Sequence, residues 1–478
     1  MSVLTRKITI DPITRVEGHG KVTILLDGQG RVSQARLHIV EFRGFERFVQ
    51  GRPYWEIPVL VQRLCGICPV SHHLAAAKAM DGIVGVDKLT PTAEKIRRLM
   101  HYAQIFQSHA LHFFYLASPD LLFGFDAEPT VRNVIGVAIK HPEMAVQGVT
   151  MRKFGQEIIK ATAGKKIHGT GAVPGGVNKS LSKEERDLFL RDIDQMIAGC
   201  RSALRIAKNY TLDHLAELSE FGAFDSIHLS LVREDGAMDL YHGNLRAIGS
   251  GGQIIFDQVN YQTYFDLLSE EVKPWSYMKF PFISKLGSEA GWYRVGPLAR
   301  INACDFIDTP EAEAARKEFK ALTHGKPNHL TMAYHWARMI ELLHAGERIK
   351  ALLLDPDLQG DDLMAVGERR EESVGMIEAP RGTLIHHYRV DRHDQVTMAN
   401  LIVSTTHNNT PMNRAVTDVA KKFLSGTTIT EGLLNRIEVA IRAYDPCLSC
   451  ATHALGQMPL LVELRDGEGR LIDRKISE

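Results

Sequence analysis

Cysteine is scarce in this sequence, with six among 478 residues. No secretory signal is expected either, since the N-terminal stretch MSVLTRKITIDPITRVEGHG carries charges where a signal peptide needs an apolar core. Few cysteines and no such signal indicate the reducing cytoplasm. In that compartment paired cysteines bind metals or carry out redox chemistry rather than form structural disulfides.

Net charge, long apolar runs and linkers are also missing. Lys and Arg together number 57, as do Asp and Glu, so the charge gives no reason to expect binding to nucleic acid or to an anionic membrane surface. No run of about 18 apolar residues occurs, so no transmembrane helix is expected. Length alone suggests about two to four domains, but no Ser/Gly-rich linker or fixed-period repeat marks a boundary.

Alternation of apolar and polar residues predicts strands near both ends of the chain. Residues 21–42, KVTILLDGQGRVSQARLHIVEF, alternate about a DGQG turn, which is typical of a β-hairpin. The first 60 residues as a whole have strand character. A further hairpin is expected at 459–475, PLLVELRDGEGRLIDRK, around DGEG. The stretch 225–310 mixes glycine and aromatic residues and predicts no clear element.

Helical periodicity dominates the rest of the chain. Thr90 is a candidate N-cap with Pro91 in the first turn, and we expect that helix to end at Pro119. Ser182 and Glu185 form a capping box that opens a helix running roughly to residue 222. Two more segments have a helical pattern: 331–354 and 431–444. The predicted fold class is therefore α+β and mainly helical, with a core bundle of long helices and peripheral hairpins and sheets.

The cysteines fall into two CxxC pairs and two isolated residues. Cys200 and Cys304 are isolated, and we expect them to be buried packing residues. The pairs lie in RLCGICPVSHH and DPCLSC: Cys65 with Cys68, and Cys447 with Cys450. Four thiolates could converge on one soft metal ion. The spacing leaves open a structural four-thiolate zinc site, whereas a thioredoxin-like dithiol lacks its βαβ context.

Three charged residues accompany the cysteine motifs. Glu17 lies in RVEGHG, Arg381 in APRGTLIHHY, and Asp445 stands two positions before Cys447. Titratable and cationic groups beside thiolates indicate proton handling at a metal rather than a purely structural site. The alternative for each residue is a solvated charge or a surface ion pair.

Five motifs together resemble the large subunit of [NiFe] hydrogenases. DPITRVEGHG, RLCGICPVSHH, EAPRGTLIHHY, STTHNN and DPCLSCATHALG occur in the order seen in that family and run from residue 11 to 456. EFRGFE and DPCLSCATHA look most like the soluble, bidirectional, NAD-reducing hydrogenases. The resemblance implies the large-subunit fold over residues 1–453 and reversible heterolytic cleavage of H2.

The resemblance also implies a ligand set for the four cysteines. Cys65, Cys68, Cys447 and Cys450 would all ligate nickel. Cys68 and Cys450 would bridge to an iron that carries CO and two cyanides, while Cys65 and Cys447 would be terminal ligands.

Further roles follow from the same motifs. Glu17 resembles the carboxylate that passes protons between the terminal Cys447 and the exterior. Arg381 matches a guanidinium over the open face of the cluster, and Asp445 would orient it. Thr405 lies where a hydroxyl donates to a cyanide.

His72 fits a hydrogen-bond donor to a bridging sulfur, and its alternative is an ordinary buried histidine. Glu41 and His453 would share a magnesium ion, against the alternative of a plain Glu–His hydrogen bond. Many relatives have Asp where this chain has Ser108, so the guanidinium of Arg381 would lack that ion pair. In relatives an endopeptidase cuts after the residue matching His453, which makes 454–478 an extension removed on maturation.

The chain has neither a dinucleotide fingerprint nor spare cysteines for an iron–sulfur cluster. Iron–sulfur clusters, FMN and NAD would therefore belong to partners, namely diaphorase subunits together with a small iron–sulfur hydrogenase subunit. Nickel and iron insertion factors would act earlier. Coupling to NADP or a deazaflavin stays open, as does a zinc-knotted structural protein. A quinone-pocket subunit of respiratory complex I is disfavoured, because that relative has lost the cysteine pairs.

Overall fold

The computed structural model describes residues 7–424 and 430–452, and the backbone of 460–465 and 471–477. Its α-helices are α1 Phe45–Phe48, α2 Ile57–Leu60, α3 Pro69–Ile83, α4 Pro91–Leu111, α5 Ser118–Phe123, α6 Val134–Lys140, α7 Pro142–Ala163, α8 Lys183–Asp213, α9 Leu215–Leu218, α10 Gly287–Ala290, α11 Pro297–Ala303, α12 Pro310–Ala321, α13 Ala333–Leu354, α14 Ser404–His407, α15 Asn409–Phe423 and α16 Glu431–Ala443. The strands are β1 Lys7–Ile10, β2 Gly20–Leu26, β3 Val32–Ile39, β4 Ala172–Val173, β5 Gly176–Val177, β6 Ile227–Val232, β7 Asn244–Ile248, β8 Ile254–Val259, β9 Leu268–Glu271, β10 Phe280–Ile283, β11 Tyr293–Arg294, β12 Glu372–Ala379, β13 Gly382–Val390, β14 Val396–Ile402, β15 Leu460–Arg465 and β16 Leu471–Ser477.

Four long helices form the centre of the molecule. α4 packs against α7 and α13, and α13 packs against α8. The first half of α13 is buried almost all round, as expected for a helix enclosed by others. The prediction of a mainly helical chain built around long packed helices is confirmed.

The start of α4 is as predicted, but its end is not. The Thr90 hydroxyl accepts a hydrogen bond from the backbone N–H of Ala93 at 3.2 Å. Beyond Leu111 the helix widens into a π-helical segment, His112–Ala117, and continues as α5. Pro119 therefore does not end the helical run. It lies in the first turn of α5, where the missing N–H and fixed φ of proline cost little.

The capping box of α8 is confirmed, since both reciprocal hydrogen bonds between Ser182 and Glu185 are present. The helix runs to Asp213, and the short α9 carries the chain to Leu218, close to the predicted end. The two other predicted helices correspond to α13 and α16.

The predicted N-terminal hairpin is β2 with β3, joined antiparallel by β1 in a three-stranded sheet. The expectation of strand structure throughout the first 60 residues is wrong after Ile39. α1, α2 and two 3₁₀ turns follow, and their apolar residues pack against α3 and β14 rather than in a sheet.

Five more sheets lie in the described part of the chain, and two of them are the short antiparallel pairs β4 with β5 and β9 with β10. β12, β13 and β14 form an antiparallel sheet against α3, and β11, β6, β7 and β8 form a mixed sheet within the stretch that the sequence left undefined. β15 pairs antiparallel with β16, which confirms the predicted C-terminal hairpin. In the described part of the chain, no helix combines the length and apolar character that a membrane crossing needs.

Candidate metal centre

Two chain segments, from opposite ends of the sequence, place the cysteines at one point. Cys68 is the N-cap of α3, with Cys65 three residues before it, while Cys447 and Cys450 follow the end of α16. Asp445 turns the chain between α16 and Cys447 with a positive φ of 53°, a conformation that Asp adopts more readily than most residues. Both CxxC pairs therefore lie on short turns at helix ends.

The four sulfur atoms form one buried cluster. The Sγ–Sγ distances are 3.2 Å for Cys65 and Cys447, 3.7 Å for Cys68 and Cys450, and 2.7 Å for Cys447 and Cys450. All four lie within 4.8 Å of one another, and none forms a disulfide. The predicted convergence of the two chain ends is confirmed.

The cysteine thiols of the cluster differ in their pKa values. Burial acts to raise the pKa of Cys65, but hydrogen bonds from the other three cysteines hold it well below its usual value. Burial raises the pKa of Cys447 and Cys450 well above theirs. Backbone N–H groups of Ile67 and Cys68 also donate to Cys65 Sγ, at 3.1 and 3.3 Å. When a cation that all four sulfurs can ligate binds to such a set of thiols, the thiols release their protons.

The donor chemistry fits a soft transition metal. Thiolate sulfur selects zinc, nickel or iron over magnesium. Beside the sulfurs lies a cavity of about 10 Å³, roughly one water in size, lined by Cys68, Ser71, His72, Ala379, Pro380, Arg381, Leu384, Val403, Ser404, Thr405, Cys447 and Cys450. A four-thiolate zinc site would not need this space.

Glu17 contacts the cluster directly. Cys447 Sγ donates to Glu17 Oε2 at 2.9 Å, and the backbone N–H of Ser449 donates to the same oxygen at 3.2 Å. The Ser449 hydroxyl donates to Glu17 Oε1. Burial, and then the charge on Cys65, raise the pKa of Glu17 above its ordinary value. A carboxyl in this position can hold a proton that leaves the cysteine.

Arg381 and Asp445 form a buried ion pair over the cavity. Arg381 Nη2 donates to Asp445 Oδ1 at 2.9 Å, and Nη1 donates to Ser108 Oγ at 3.3 Å. The Arg381 pKa is well above its ordinary value, because Asp445 and the cysteines outweigh the effect of burial. Burial raises the pKa of Asp445, although Arg381 opposes this. Ser108 thus keeps a hydrogen bond to the guanidinium where an ion pair is absent.

Thr405 and His72 line the same cavity. The backbone N–H of Cys447 donates to Thr405 Oγ1 at 3.0 Å, so the hydroxyl proton of Thr405 is left to donate elsewhere. His72 Nδ1 lies 3.1 Å from His386 Nε2. Burial lowers the pKa of His72 to about 4, so its ring is neutral.

Glu41 lies beyond β3, next to the end of the described C-terminal segment. Its Oε1 is 2.6 Å from His19 Nδ1, and its Oε2 is buried with no hydrogen-bond partner among the described residues. The backbone N–H groups of Arg43 and Gly44 donate to Thr452 O, which brings the chain end to this loop. His453, the predicted partner of Glu41, lies outside the described residues. An unpartnered buried carboxylate oxygen suits a hard cation.

Sequence reasoning missed several residues around the centre. Ser449 and His19 are polar partners that no spacing rule identifies. Arg300 donates to Ala379 O at 3.0 Å and to Glu378 and Glu341, and so holds the segment that leads to Arg381. The sequence did contain one indication of this buried network. Glu341 occupies a position on α13 where the helical periodicity predicts an apolar residue.

Comparison with known proteins agrees with this geometry. A family model described as nickel-dependent hydrogenase matches residues 43–127 and 215–453, and one described as HoxL-like matches 7–42. The NAD-reducing hydrogenase HoxS subunit beta of Cupriavidus necator is 51% identical over 99% of this chain and 100% of that protein. One chain of the F420-non-reducing hydrogenase vhc of Methanococcus voltae is 42% identical over 97% of this chain and 98% of that protein.

A solved structure supports the same assignment. The chain superposes on an NAD+-reducing [NiFe]-hydrogenase in the H2-reduced state with a TM-score of 0.92 and 59% identity, covering 94% of this chain and 99% of that one. The fold and the four-thiolate site are those of a metal-dependent oxidoreductase. The chain belongs to the nickel-dependent hydrogenase family, as the sequence motifs predicted.

Proposed function

We propose that this chain is the catalytic subunit of a [NiFe] hydrogenase that splits H2 reversibly into protons and electrons, with the electrons passing through partner subunits to NAD. The observation that carries the proposal is the buried four-thiolate cluster, together with the Glu17 carboxyl, which contacts Cys447 and has a raised pKa. A structural zinc site needs the thiolates but has no use for that carboxyl.

The four cysteines would hold the nickel, with Cys68 and Cys450 also binding an iron that carries CO and two cyanides. When bound, this centre supplies the Lewis acid and the electron acceptor for heterolysis of H2. The rest of the reaction depends on side chains that accept protons and keep water and ligands in place.

The proton route begins at Cys447. Its sulfur lies 2.9 Å from Glu17 Oε2, a distance over which a proton can pass directly. Ser449 fixes both carboxylate oxygens, so Glu17 faces the cysteine in one orientation. Glu17 then hands the proton outward.

Arg381 and Thr405 prepare the cavity for small polar ligands. The ion pair with Asp445 holds the guanidinium plane, and Arg381 Nε is buried with no partner among the described residues. Thr405 keeps its hydroxyl proton for a second acceptor. Donors that line a buried cavity would stabilise anionic ligands there, because acceptors left without a donor in a buried site are costly.

His72 would donate to one of the bridging sulfurs, and Glu41 with His453 would hold magnesium. The unpartnered Oε2 of Glu41 supports the magnesium site. Exchange of magnesium for manganese, followed by anomalous scattering, tests it. A peak beside Glu41 is expected, and its absence would leave only the hydrogen bond to His19.

Electron transfer requires partners. Cys200 and Cys304 are buried apart from the cluster, with pKa values raised by burial, to about 12 for Cys304. Diaphorase subunits that bear flavin, together with a small iron–sulfur subunit, would carry clusters, FMN and NAD. The relative from Cupriavidus necator, named as one subunit of an NAD-reducing hydrogenase, supports this assembly. The assembly would be cytoplasmic, where NAD is reduced.

Metal analysis with infrared spectroscopy tests the proposal. The purified assembly should contain nickel and iron in about equal amounts and show bands of bound CO and cyanide. Zinc alone, without those bands, would overturn the proposal in favour of a structural site.

A further inference from the structure

Three buried side chains form a continuous hydrogen-bonded row that begins at the metal-site cavity. His72, on α3, lines that cavity. Its Nδ1 lies 3.1 Å from His386 Nε2, and His386 Nδ1 lies 2.7 Å from the hydroxyl of Tyr388. His386 and Tyr388 are two apart on β13 and therefore share one face of the strand. All three side chains are at most 1% exposed.

The far end of the row fixes the direction of its hydrogen bonds. Burial raises the pKa of Tyr388 well above its ordinary value, so the phenol keeps its proton. Among the described residues, His386 Nδ1 is the hydrogen-bond partner of this hydroxyl, so the buried O–H group is satisfied when it donates to that nitrogen. An imidazole that accepts at Nδ1 carries its proton on Nε2, so His386 donates to His72 Nδ1. By the same rule, neutral His72 carries its proton on Nε2.

We propose that Tyr388 is a positioning residue that sets the tautomer of His72 through His386, so that His72 presents an Nε2–H donor to the thiolate site. The proposal rests on the proposed function for the identity of the acceptor, a metal-bound sulfur. It does not depend on that function for the tautomer, which is a property of the chain itself.

The tautomer matters because the two forms of His72 act oppositely on a thiolate. An N–H group stabilises negative charge on sulfur, whereas a ring nitrogen lone pair in the same position repels it. Groups that hydrogen-bond directly to a metal ligand, as His72 would, typically change metal affinity or activity by about 10–100-fold when removed. Tyr388 would exert this effect without touching the site.

The chain offers a matched control on the other face of β13. The hydroxyl of Tyr264 lies 3.1 Å from His387 Nδ1, so it is also a buried phenol paired with a histidine of the same strand. His387 does not line the cavity. Tyr264→Phe therefore removes the same kind of phenol–histidine hydrogen bond at similar depth, together with a hydrogen bond from Asn400 Nδ2 at 2.7 Å, without reaching His72.

The first experiment uses the full-length, metal-free chain. Two-bond ¹H–¹⁵N spectra of protein labelled at histidine report each tautomer, and the signals lost in His72→Gln identify His72. We expect the Nε2–H form in the wild type and in Tyr264→Phe, and loss of that single form in Tyr388→Phe. An Nδ1–H form in the wild type overturns the proposal even if Tyr388→Phe fails to fold.

The second experiment uses the metal-loaded assembly. The infrared bands of CO and cyanide should shift in Tyr388→Phe and return towards wild type in Tyr388→Phe/His386→Gln, because an amide N–H donates to His72 without help from a phenol. Unchanged bands in Tyr388→Phe, or an equal shift in Tyr264→Phe, contradict the proposal. A wild-type assembly without nickel and iron would instead refute the proposed function, and the tautomer result would still stand.

Discussion

Glu17 shows how one residue can combine two requirements at a metal site. Its Oε2 accepts hydrogen bonds from the Cys447 thiol and the backbone N–H of Ser449, while Oε1 accepts one from the Ser449 hydroxyl. Hydrogen bonds to the charged form lower its pKa, but burial and the charge of Cys65 have the larger effect. The net effect raises the pKa of the carboxyl towards neutral pH, where a proton relay works best.

Glu17→Gln should separate proton transfer from metal binding. The amide keeps the shape of the side chain but cannot pass on a proton. We expect H2 uptake and H/D exchange in the assembled enzyme to fall by about 10²–10⁴-fold, with nickel content unchanged. Glu17→Asp, which retains an acid, should lose less. Normal exchange in the Gln variant would assign the relay to another residue.

Arg381→Lys tests the guanidinium over the cavity. Lysine keeps the charge but lacks the planar donors that bind Asp445 and Ser108 together. Turnover should fall by about 10²-fold, the usual cost of one lost donor at a reacting centre, while nickel is retained. Loss of nickel would show that Arg381 supports the structure of the site instead.

The residues that can be identified from sequence are those whose role follows from spacing or motif. The pairing of Cys65 with Cys68 and of Cys447 with Cys450 could be predicted from CxxC spacing, and the resemblance to the hydrogenase family predicted that the two pairs share one centre. Ser449, His19 and Tyr388 could not be identified, since a serine, a histidine or a tyrosine is ordinary until its partner is known. That partner comes from a distant part of the chain or from a fold that spacing does not reveal.

At the scale of elements, α3 sets the position of the N-terminal cysteines against the β12–β13–β14 sheet. The approach is close because β12 has a glycine at the contact. A Cβ on Gly375 would lie 2.0 Å from Ala75 O and 2.5 Å from Ala79 N, both in the backbone of α3. Neither atom can move without shifting the helix that Cys68 caps.

Gly375→Ala should therefore destabilise the fold and the site together. The added methyl group forces α3 away from β12, at a cost of about 1–3 kcal/mol. Chemical denaturation of the metal-free chain measures this cost. Gly66→Ala is the control, because its Cβ meets nothing within 4 Å, and its effect should stay within about 0.5 kcal/mol. Equal midpoints for the two variants would mean that α3 and β12 can separate freely.

Local signals predicted elements well where capping chemistry was explicit. The helix starts at the Thr90 cap and at the Ser182–Glu185 capping box were predicted correctly, as was the hairpin around DGQG. The prediction that the helix ends at Pro119 was wrong. A π-helical segment precedes this proline and places it in the first turn of α5, an arrangement that depends on packing rather than on local sequence. The prediction for the segment after Ile39 was wrong because its apolar residues pack against α3 and against β14, and β14 lies more than 300 residues further along the chain.

At the scale of the whole molecule, the extension 454–478 should be absent from active enzyme. We propose that an endopeptidase cuts after His453 once nickel has been inserted, which frees the chain end to fold inward and makes closure over the metals effectively irreversible. Intact mass spectrometry of active protein should give a chain lacking those residues. A metal-free preparation, made without nickel, should keep the full length. Active, nickel-loaded protein with a full-length chain would falsify the processing step.

The meeting of both chain ends at one cluster has a consequence in time. Cys65 and Cys68 are synthesised early, and Cys447 and Cys450 only at the end. At about 5–20 residues per second, the first pair waits on the order of tens of seconds for the second. During that interval two thiols that would ligate nickel in the proposed centre are exposed to oxidants and competing ions, so the complete ligand set would be available to the metal only after translation.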